Sequence, residues 1–518
     1  RPGKPLGFPG RSWPDIPVFF SLMTVRMFAL TPKRLTRLAL AGLLLTAAAC
    51  HKKDPDPQPD PAPEPPVTQP SGPSQVAFWL TNGDRSVLFR KQSARLNFAP
   101  TASQNPTIAI DTTQQFQSID GFGYTLTGAS AYVINRMGST ERANLLRELF
   151  ATDSTWLGVS YLRISIGASD LSDHVFTYND LPAGQTDENM TQFSLAPEQA
   201  DLLPVLRQIL AINPDIKILG SPWTAPLWMK TNGSAINGSL RPQYYAAYAR
   251  YFVKYVQQMQ AAGVRIDAIT IQNEPLNPYN EPSMVMPAAE QATFIREYLG
   301  PAFRTNNITT KIIAFDHNAD NEGLSYVNTV LGNPGAAQYV DGSAWHLYSG
   351  SISNLSTVHN AFPQKNVYFT EQWVDAAAAN SFGGDLSWHT SNLIIGATRN
   401  WARNVLEWNL AADPGNGPRT NGGCSQCLPA VTVNGSAVTR NQAYYTIAHA
   451  SKFVRPGSVR IGSTNLSDLP NVAFKTPAGK KVLIVLNTAS APRTFNIDYR
   501  GKQVASTLNG GAVGTYVW

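Results

Sequence analysis

Between about residue 118 and residue 425, short apolar runs alternate with longer stretches whose apolar positions recur at helical spacing. Seven runs read as strands: Tyr161 to Ser165, Lys217 to Gly220, Ala268 to Ile271, Lys311 to Ala314, Gly342 to His346, Asn366 to Thr370 and Val405 to Trp408. Between them lie helical stretches such as Gln243 to Ala262, which carries Tyr244, Tyr248, Tyr251, Phe252 and Tyr255 roughly along one face. That stripe reads as a helix packing on a barrel. Regular alternation of strand and helix predicts repeated βα units and a parallel sheet. The flanks differ. Ala77 to Leu80, Ser86 to Phe89 and Thr107 to Ile110 on one side, and Val472 to Lys475, Lys481 to Leu486 and Gly514 to Trp518 on the other, are short strand-like runs among turns. The two β-rich ends are expected to fold together as one β-sandwich beside the βα region. With 518 residues, 43% hydrophobic and 15% charged, the chain has length and core enough for both.

The first 75 residues read differently. Met27 is followed by a basic stretch, Lys33-Arg34-Leu35-Thr36-Arg37, and then by the apolar run Leu38 to Ala49. That run is shorter than the roughly 20 residues a membrane span needs and fits a signal segment. It ends in Ala47-Ala48-Ala49-Cys50, similar to a bacterial lipoprotein cleavage site except that Ala47 stands where leucine is usual. Cleavage after the alanines with Cys50 acylated, or ordinary cleavage with Cys50 free, both follow. A Pro-rich tether runs from Cys50 to about residue 75. The formal charge of +6 belongs largely to the leader: residues 1–49 carry seven basic groups and one acid, and the remainder carries 34 of each. A neutral mature chain gives no support to a nucleic-acid partner. In an exported protein, Cys424-x-x-Cys427 most simply closes a small loop as a disulfide. Zinc would require two further ligands at standard spacing, and none lies nearby. Neither a phosphate-binding glycine loop nor a metal cluster is present, so no cofactor is expected.

In a (β/α)8 barrel, chemistry sits at the C-terminal ends of the strands. Ala268 to Ile271 runs into Gln272-Asn273-Glu274-Pro275, and Asn366 to Thr370 runs into Glu371-Gln372-Trp373. The two glutamates are 97 residues apart. At roughly 30 residues per βα unit, that spacing suits the fourth and seventh strands, which face each other across a barrel mouth. Two facing carboxyls are what glycoside cleavage requires. One donates a proton to the leaving oxygen, and the other attacks the anomeric carbon or activates water.

The segment Ser221-Pro222-Trp223-Thr224-Ala225-Pro226-Leu227-Trp228-Met229-Lys230-Thr231-Asn232-Gly233 resembles glycoside hydrolase family 30, and so does the Gln272-Asn273-Glu274-Pro275 motif. Gly121-Phe122-Gly123, Arg163-Ile164-Ser165-Ile166-Gly167 with Asp170 and Tyr178, and Trp408-Asn409-Leu410 followed by Gly417-Pro418 fit the same family in the same order. The resemblance runs from about Asp120 to the C-terminus. It implies an α/β fold, a (β/α)8 barrel over residues 118–430 joined to a β-sandwich made of residues 76–117 and 431–518. It further implies a retaining β-glycosidase with Glu274 as acid/base and Glu371 as nucleophile. Asn273 would bind the sugar 2-hydroxyl, and Asp170, Trp223 and Trp408 would line the glucose subsite. His346 and Tyr348 would stand near the nucleophile, with Arg163 supporting the carboxylates. The expected substrate is a carbohydrate or glycolipid with β-glucosidic bonds, β-1,6-glucan or a glucosylceramide. Xylan or fucosides, transglycosylation and an inactive carbohydrate-binding lipoprotein are the alternatives. Membrane contact would come only through Cys50, at a bacterial outer membrane. The departures are Gln372-Trp373 after the nucleophile, Thr127 where relatives often carry aspartate, and the loop holding the two cysteines. They bear on the leaving group rather than on the reaction.

Overall fold

The computed structural model describes residues 74–518 apart from 101–102, 154 and 377–380. The leader, Cys50 and nearly all of the tether lie outside the described residues. Eight parallel strands close into a barrel in sequence order. They are β1 (Gly121–Thr125), β2 (Tyr161–Ser165), β3 (Lys217–Ser221), β4 (Ala268–Thr270), β5 (Lys311–Ala319), β6 (Val340–Gly350), β7 (Asn366–Glu371) and β8 (Ala402–Asn409). β1 is absent from the seven strands read in the sequence, because its inward positions are glycines. A Cβ on Gly123 would sit 1.8 Å from the Tyr161 carbonyl oxygen, so β1 and β2 approach this closely only with glycine there. Phe122 and Tyr124 face outward into the core under the helices. The aromatic stripe of the helix Tyr245–Ala261 is buried in that same core.

The barrel interior is layered, as the two-residue period of a strand dictates. At its base Tyr161, Leu219, Ala268, Ile313, Ala344, Tyr368 and Leu406 form a separate apolar cluster. Two residues further along the same strands stand Arg163, Ser221, Thr270, His346, Thr370 and Trp408, all buried. The barrel therefore has an apolar floor and a polar upper layer. One strand departs from this alternation. On β5 the ladder with β6 slips between Phe315 and His317, and Phe315 and Asp316 take positive φ of 74° and 93°. The irregularity turns Phe315 outward onto Tyr326 and Trp345, at ring distances of 4.9 and 5.1 Å. Asp316 is thereby aimed into the barrel.

Among the described residues, strands from both ends of the chain interleave in one nine-stranded sheet. Ala77–Thr81 pairs with Val513–Val517, and Thr107–Ser118 lies between Val459–Ser463 and Arg493–Tyr499. Within the strand Lys481–Leu486, every residue after the lysine is apolar and buried because both faces are covered. Val482, Ile484 and Leu486 join the barrel core, while Leu483 and Val485 join the sandwich core. Two sequence expectations change here. Ser86 to Phe89 is a turn-rich connection rather than a strand, with positive φ at Arg85 and Phe89. The segment from residue 431, expected in the sandwich, instead forms a hairpin, Val431–Asn434 with Ala437–Arg440, that pairs with Ala411–Ala412 after β8. It then forms the helix Gln442–Ser451, every residue of which is buried. This helix completes the eighth βα unit, so the barrel region extends past 450.

His449 on that helix joins the two regions. Its Nδ1 lies 2.8 Å from Thr515 Oγ1 and its Nε2 lies 2.8 Å from Thr81 Oγ1. The Thr515 hydroxyl donates to the His449 carbonyl, so Nδ1 carries the ring proton and Nε2 accepts from Thr81. Burial pushes this imidazole down to about 3. The folded state holds it neutral, whereas an unfolded chain protonates it near pH 6.5. Its contribution is therefore complete above pH 6.5 and is lost as pH falls toward 3. Between pH 7.5 and 5 the wild type should lose about 2 kcal/mol that His449→Gln does not lose. Urea unfolding at the two pH values measures the difference, and parallel losses in both proteins would refute this assignment.

Candidate active site

The polar layer is organised around Arg163 and Asp316, both fully buried. Arg163 Nη1 donates to Glu371 Oε2 at 2.5 Å. Its Nη2 donates to Asn273 Oδ1 at 2.7 Å and to Asp316 Oδ2 at 2.9 Å. Asp316 also accepts from Ser221 and Thr270 at 2.7 Å each, from Thr370 at 2.6 Å and from His346 Nε2 at 3.1 Å. Burial raises this carboxyl, but the Arg163 charge and the bond from His346 outweigh it and hold Asp316 well below the usual range. Such a set of donors around one buried carboxylate ties five strands to β5 and so fixes six relative to one another.

Glu274 follows β4 and has a positive φ of 47°. Its amide donates to the Asp316 carbonyl at 2.9 Å. Oε2 accepts from Asn277 (2.7 Å) and Asn280 (3.1 Å), while Oε1 lies 3.3 Å from His346 Nδ1 and 3.8 Å from His317 Nε2. Glu371 ends β7 at a second slip in the ladder. Its Oε1 accepts from the Tyr348 hydroxyl at 2.9 Å and lies 3.8 Å from His346 Nδ1. One oxygen of each glutamate and His346 Nδ1 all lie within 4.8 Å of one another.

The charges in this space are coupled. Burial lowers His346, but the Glu371 charge and the bonds to Asp316 and Glu274 outweigh it and lift the imidazole to about 9. Burial raises Glu274, and the His346 bond with the charges of His317 and His346 overcomes that, leaving it at about 2. Glu371 is raised, first by burial and then by the Glu274 and Asp316 charges, against the pull of His346 and Arg163. These opposed shifts place the shared proton on His346 rather than on Glu274. The trio could ligate an ion on distance alone. Its oxygens, however, already face Arg163, Tyr348, Asn277 and Asn280, and Arg163 with protonated His346 already supplies the positive charge.

Beside the carboxylates, Trp223 and Trp408 pack with ring centres 5.4 Å apart, and the Arg163 guanidinium lies 4.8 and 5.7 Å from them. Trp373 and the cysteines pack against this pair. Cys424 and Cys427 are joined in a disulfide. The Cys424 amide faces Asp170 Oδ2 at 3.4 Å, and Thr420 donates to the Asp170 carbonyl through its amide at 3.0 Å. Burial, then the Glu371 charge, raise Asp170 to about 7. A hydroxyl-rich ligand that donates to this carboxylate would offset that cost.

Every site residue expected from the sequence within the described region gathers at this end of the barrel. The sequence reading missed Asp316, His317, Asn277 and Asn280. A signal existed for His317, since Asp316-His317-Asn318 is a polar run directly after an apolar one, like Gln272-Asn273-Glu274; the inward aim of Asp316 depends on the irregularity of β5.

Two family models match the chain: the glycosyl hydrolase family 30 TIM-barrel domain over residues 119–454 and the family 30 beta sandwich domain over 457–516. An endo-1,6-beta-D-glucanase of Neurospora crassa is 36% identical over 457 residues, covering 84% of this chain and 93% of its own. The lysosomal acid glucosylceramidase of Mus musculus is 29% identical, covering 79% and 83%. The solved structure of the endo-beta1,6-glucanase BT3312 superposes with a TM-score of 0.80 at 34% identity, covering 86% of this chain and 99% of that one.

Proposed function

The chain belongs to glycoside hydrolase family 30 and hydrolyses β-glycosidic bonds, and from that premise we propose that it is a retaining endo-β-1,6-glucanase with Glu371 as nucleophile and Glu274 as acid/base. The approach of one oxygen of Glu274 to one oxygen of Glu371, within 4.8 Å, carries the reading. Retaining enzymes hold their carboxyls about 5–5.5 Å apart, and inverting ones about 6.5–9.5 Å to admit a water. Similarity to glucanases supports the choice of glucan.

In the first step Glu371 bonds to the anomeric carbon as the bond to the leaving oxygen breaks, and Glu274 gives that oxygen its proton. In the second, Glu274 takes a proton from water, the water oxygen bonds to the anomeric carbon, and the ester to Glu371 breaks. With its carboxyl held low by His346 and His317, Glu274 is ionised, which is the wrong state for a donor. A Glu274 carboxylate beside a His346 cation carries the same proton as the neutral pair. Sugar filling the cavity removes the water that favours separated charges, and the proton moves across the 3.3 Å contact to Glu274. Asn273 spends its oxygen on Arg163, so its NH2 is left for the 2-hydroxyl, where a contact strengthens in the transition state. Asp170 accepts from vicinal hydroxyls, and the indoles of Trp223 and Trp408 face the sugar's C–H bonds.

Tyr348→Phe removes a bond made to ionised Glu371. Loss of such a bond is worth about 1.5–3 kcal/mol, so kcat/KM should fall on the order of 10- to 100-fold. The acid limb of its pH profile should move upward, because the carboxylate form has lost a donor. An unmoved limb would refute this role for Tyr348. The substrate assignment is tested by products from β-1,6-, β-1,3- and β-1,4-glucans and glucosylceramide, with anomers followed by NMR. Oligosaccharides from β-1,6-glucan with the β-anomer appearing first are expected; an α-anomer or an untouched glucan would overturn it.

Export with acylation at Cys50 is a further part of the proposal, supported by the apolar run ahead of that cysteine and by a disulfide of the kind found in oxidising compartments. Palmitate labelling lost in Cys50→Ala would support it, and an unlabelled wild type would leave ordinary cleavage as the route.

A further inference from the structure

Among the described residues, three large apolar side chains stand exposed: Ile236 at 39%, Trp388 at 40% and Tyr279 at 85%. Tyr279 and Ile236 belong to one rim. Tyr279 tips the loop that follows Glu274, and that loop is fastened to the carboxylate itself. Asn277 donates to Glu274 Oε2, while its own Oδ1 accepts from the Tyr279 amide at 3.0 Å. Asn280, on the other side of the tyrosine, also donates to Oε2. The backbone that carries the ring is therefore tied to the proton donor through one side chain on each flank.

Neighbouring loops hold the rim in place. The Ser283 amide donates to the Ala235 carbonyl at 2.9 Å, and the Asn237 amide donates to Ser283 Oγ at 2.9 Å. Buried Lys230 donates to the carbonyls of Ala235 and Ser283. Glu281 ties the same loop to the disulfide loop, accepting from the Thr420 hydroxyl at its carbonyl and from the Gly422 amide at Oε2. An aromatic ring this exposed on a loop this well anchored presents an apolar face to solvent at a fixed place on the rim.

Chemistry says what passes there. The acid/base residue gives its proton to the oxygen of the departing sugar, so the leaving portion of the substrate lies on the Glu274 side of the cleaved bond. Asp170, Trp223 and Trp408 enclose the other side. We infer that Tyr279 is the stacking platform of a leaving-group subsite, taking the C–H face of a glucosyl unit beyond the cleaved bond, with Ile236 flanking it. The subsite rests on the glucan reading above. A phenol ring stacked by its face on a sugar removes apolar surface from water while its hydroxyl at the edge stays solvated, and an effect of about tenfold is expected.

The test compares kcat/KM on soluble β-1,6-glucan with kcat/KM on β-D-glucosyl fluoride, whose leaving group is one atom and cannot reach the rim. Tyr279→Ala should lower the glucan value about tenfold more than the fluoride value, and Tyr279→Phe, which keeps the ring, should restore it. Equal losses on both substrates would mean that the loop acts only by holding Glu274, and would overturn the subsite. Unchanged glucan turnover in Tyr279→Ala would overturn it as well. A wild type that turns over the fluoride and leaves the glucan intact would defeat the glucanase reading itself, a different failure.

Discussion

Glu371→Ala should reduce turnover on the order of 10⁵-fold, the scale on which loss of a covalent nucleophile is felt, while leaving the fold intact. Glu371 is buried and paired with Arg163, so its removal also relieves like-charge crowding with Glu274 and Asp316, two of the causes that raise it. Stability should therefore change far less than activity does. Azide supplies the diagnostic. With the nucleophile gone, azide in the vacated space attacks the anomeric carbon of an activated β-glycoside once, and the product is the α-glycosyl azide. Glu274→Ala should behave differently. It should retain a fast first step on substrates whose leaving group needs no proton, and azide should then intercept the glycosyl-enzyme to give the β-azide. Exchanged product configurations would reverse the assigned roles, and absence of rescue in both would argue against a covalent route.

Arg163→Leu should destabilise the protein by about 3–5 kcal/mol, the cost of leaving a buried charge without its partner. Arg163 has no exposed surface, and neither has Asp316. The substitution leaves Asp316 with three hydroxyls and a His346 cation that it shares with both glutamates, and leaves Glu371 with Tyr348 and that same His346. Activity should fall as well, because Glu371 then titrates higher and the acid limb of the pH profile shifts upward. Arg163→Lys should recover only part of the loss. A point charge cannot reproduce one nitrogen on Glu371 and the other shared between Asn273 and Asp316. Arg163→Leu combined with Asp316→Leu should be more stable than Arg163→Leu alone and still inactive. Urea unfolding and kcat/KM separate these outcomes, and a loss below 1 kcal/mol for Arg163→Leu would contradict the central place given to the pair.

These effects trace back to residues of unequal visibility in the sequence. Glu274 and Glu371 were legible because each ends an apolar run, and their spacing selects opposing strands of the barrel. His346 and Tyr348 follow Ala344 by the two-residue period of β6 and face inward without irregularity. Asp316 was not legible. The alternation that places Ile313 inside the barrel points Asp316 outward, and only the slip at Phe315 and its positive φ reverse that. β1 was missed for the opposite reason: its inward glycines erase the apolar signal, although a tight packing contact requires them. The hairpin and helix over 431–451 read as sandwich because a β-rich stretch carries no mark of which core it serves. Where the proton rests between Glu274 and His346 depends on distances of a few ångströms across the barrel, which no local pattern encodes.

The pairing of Ala77–Thr81 with Val513–Val517 has a kinetic meaning. A barrel of repeated βα units invites assembly piece by piece as synthesis proceeds. Here the sheet that covers part of its outer core is finished only when strands from opposite ends of the described chain meet, and the ring enclosed between those strands includes every catalytic loop. Contacts that distant in sequence close large loops at an entropic cost and slow the search for the native state. The enzyme is accordingly expected to commit to its fold late and as a single cooperative unit, with the sandwich serving as the clasp that locks an otherwise modular machine.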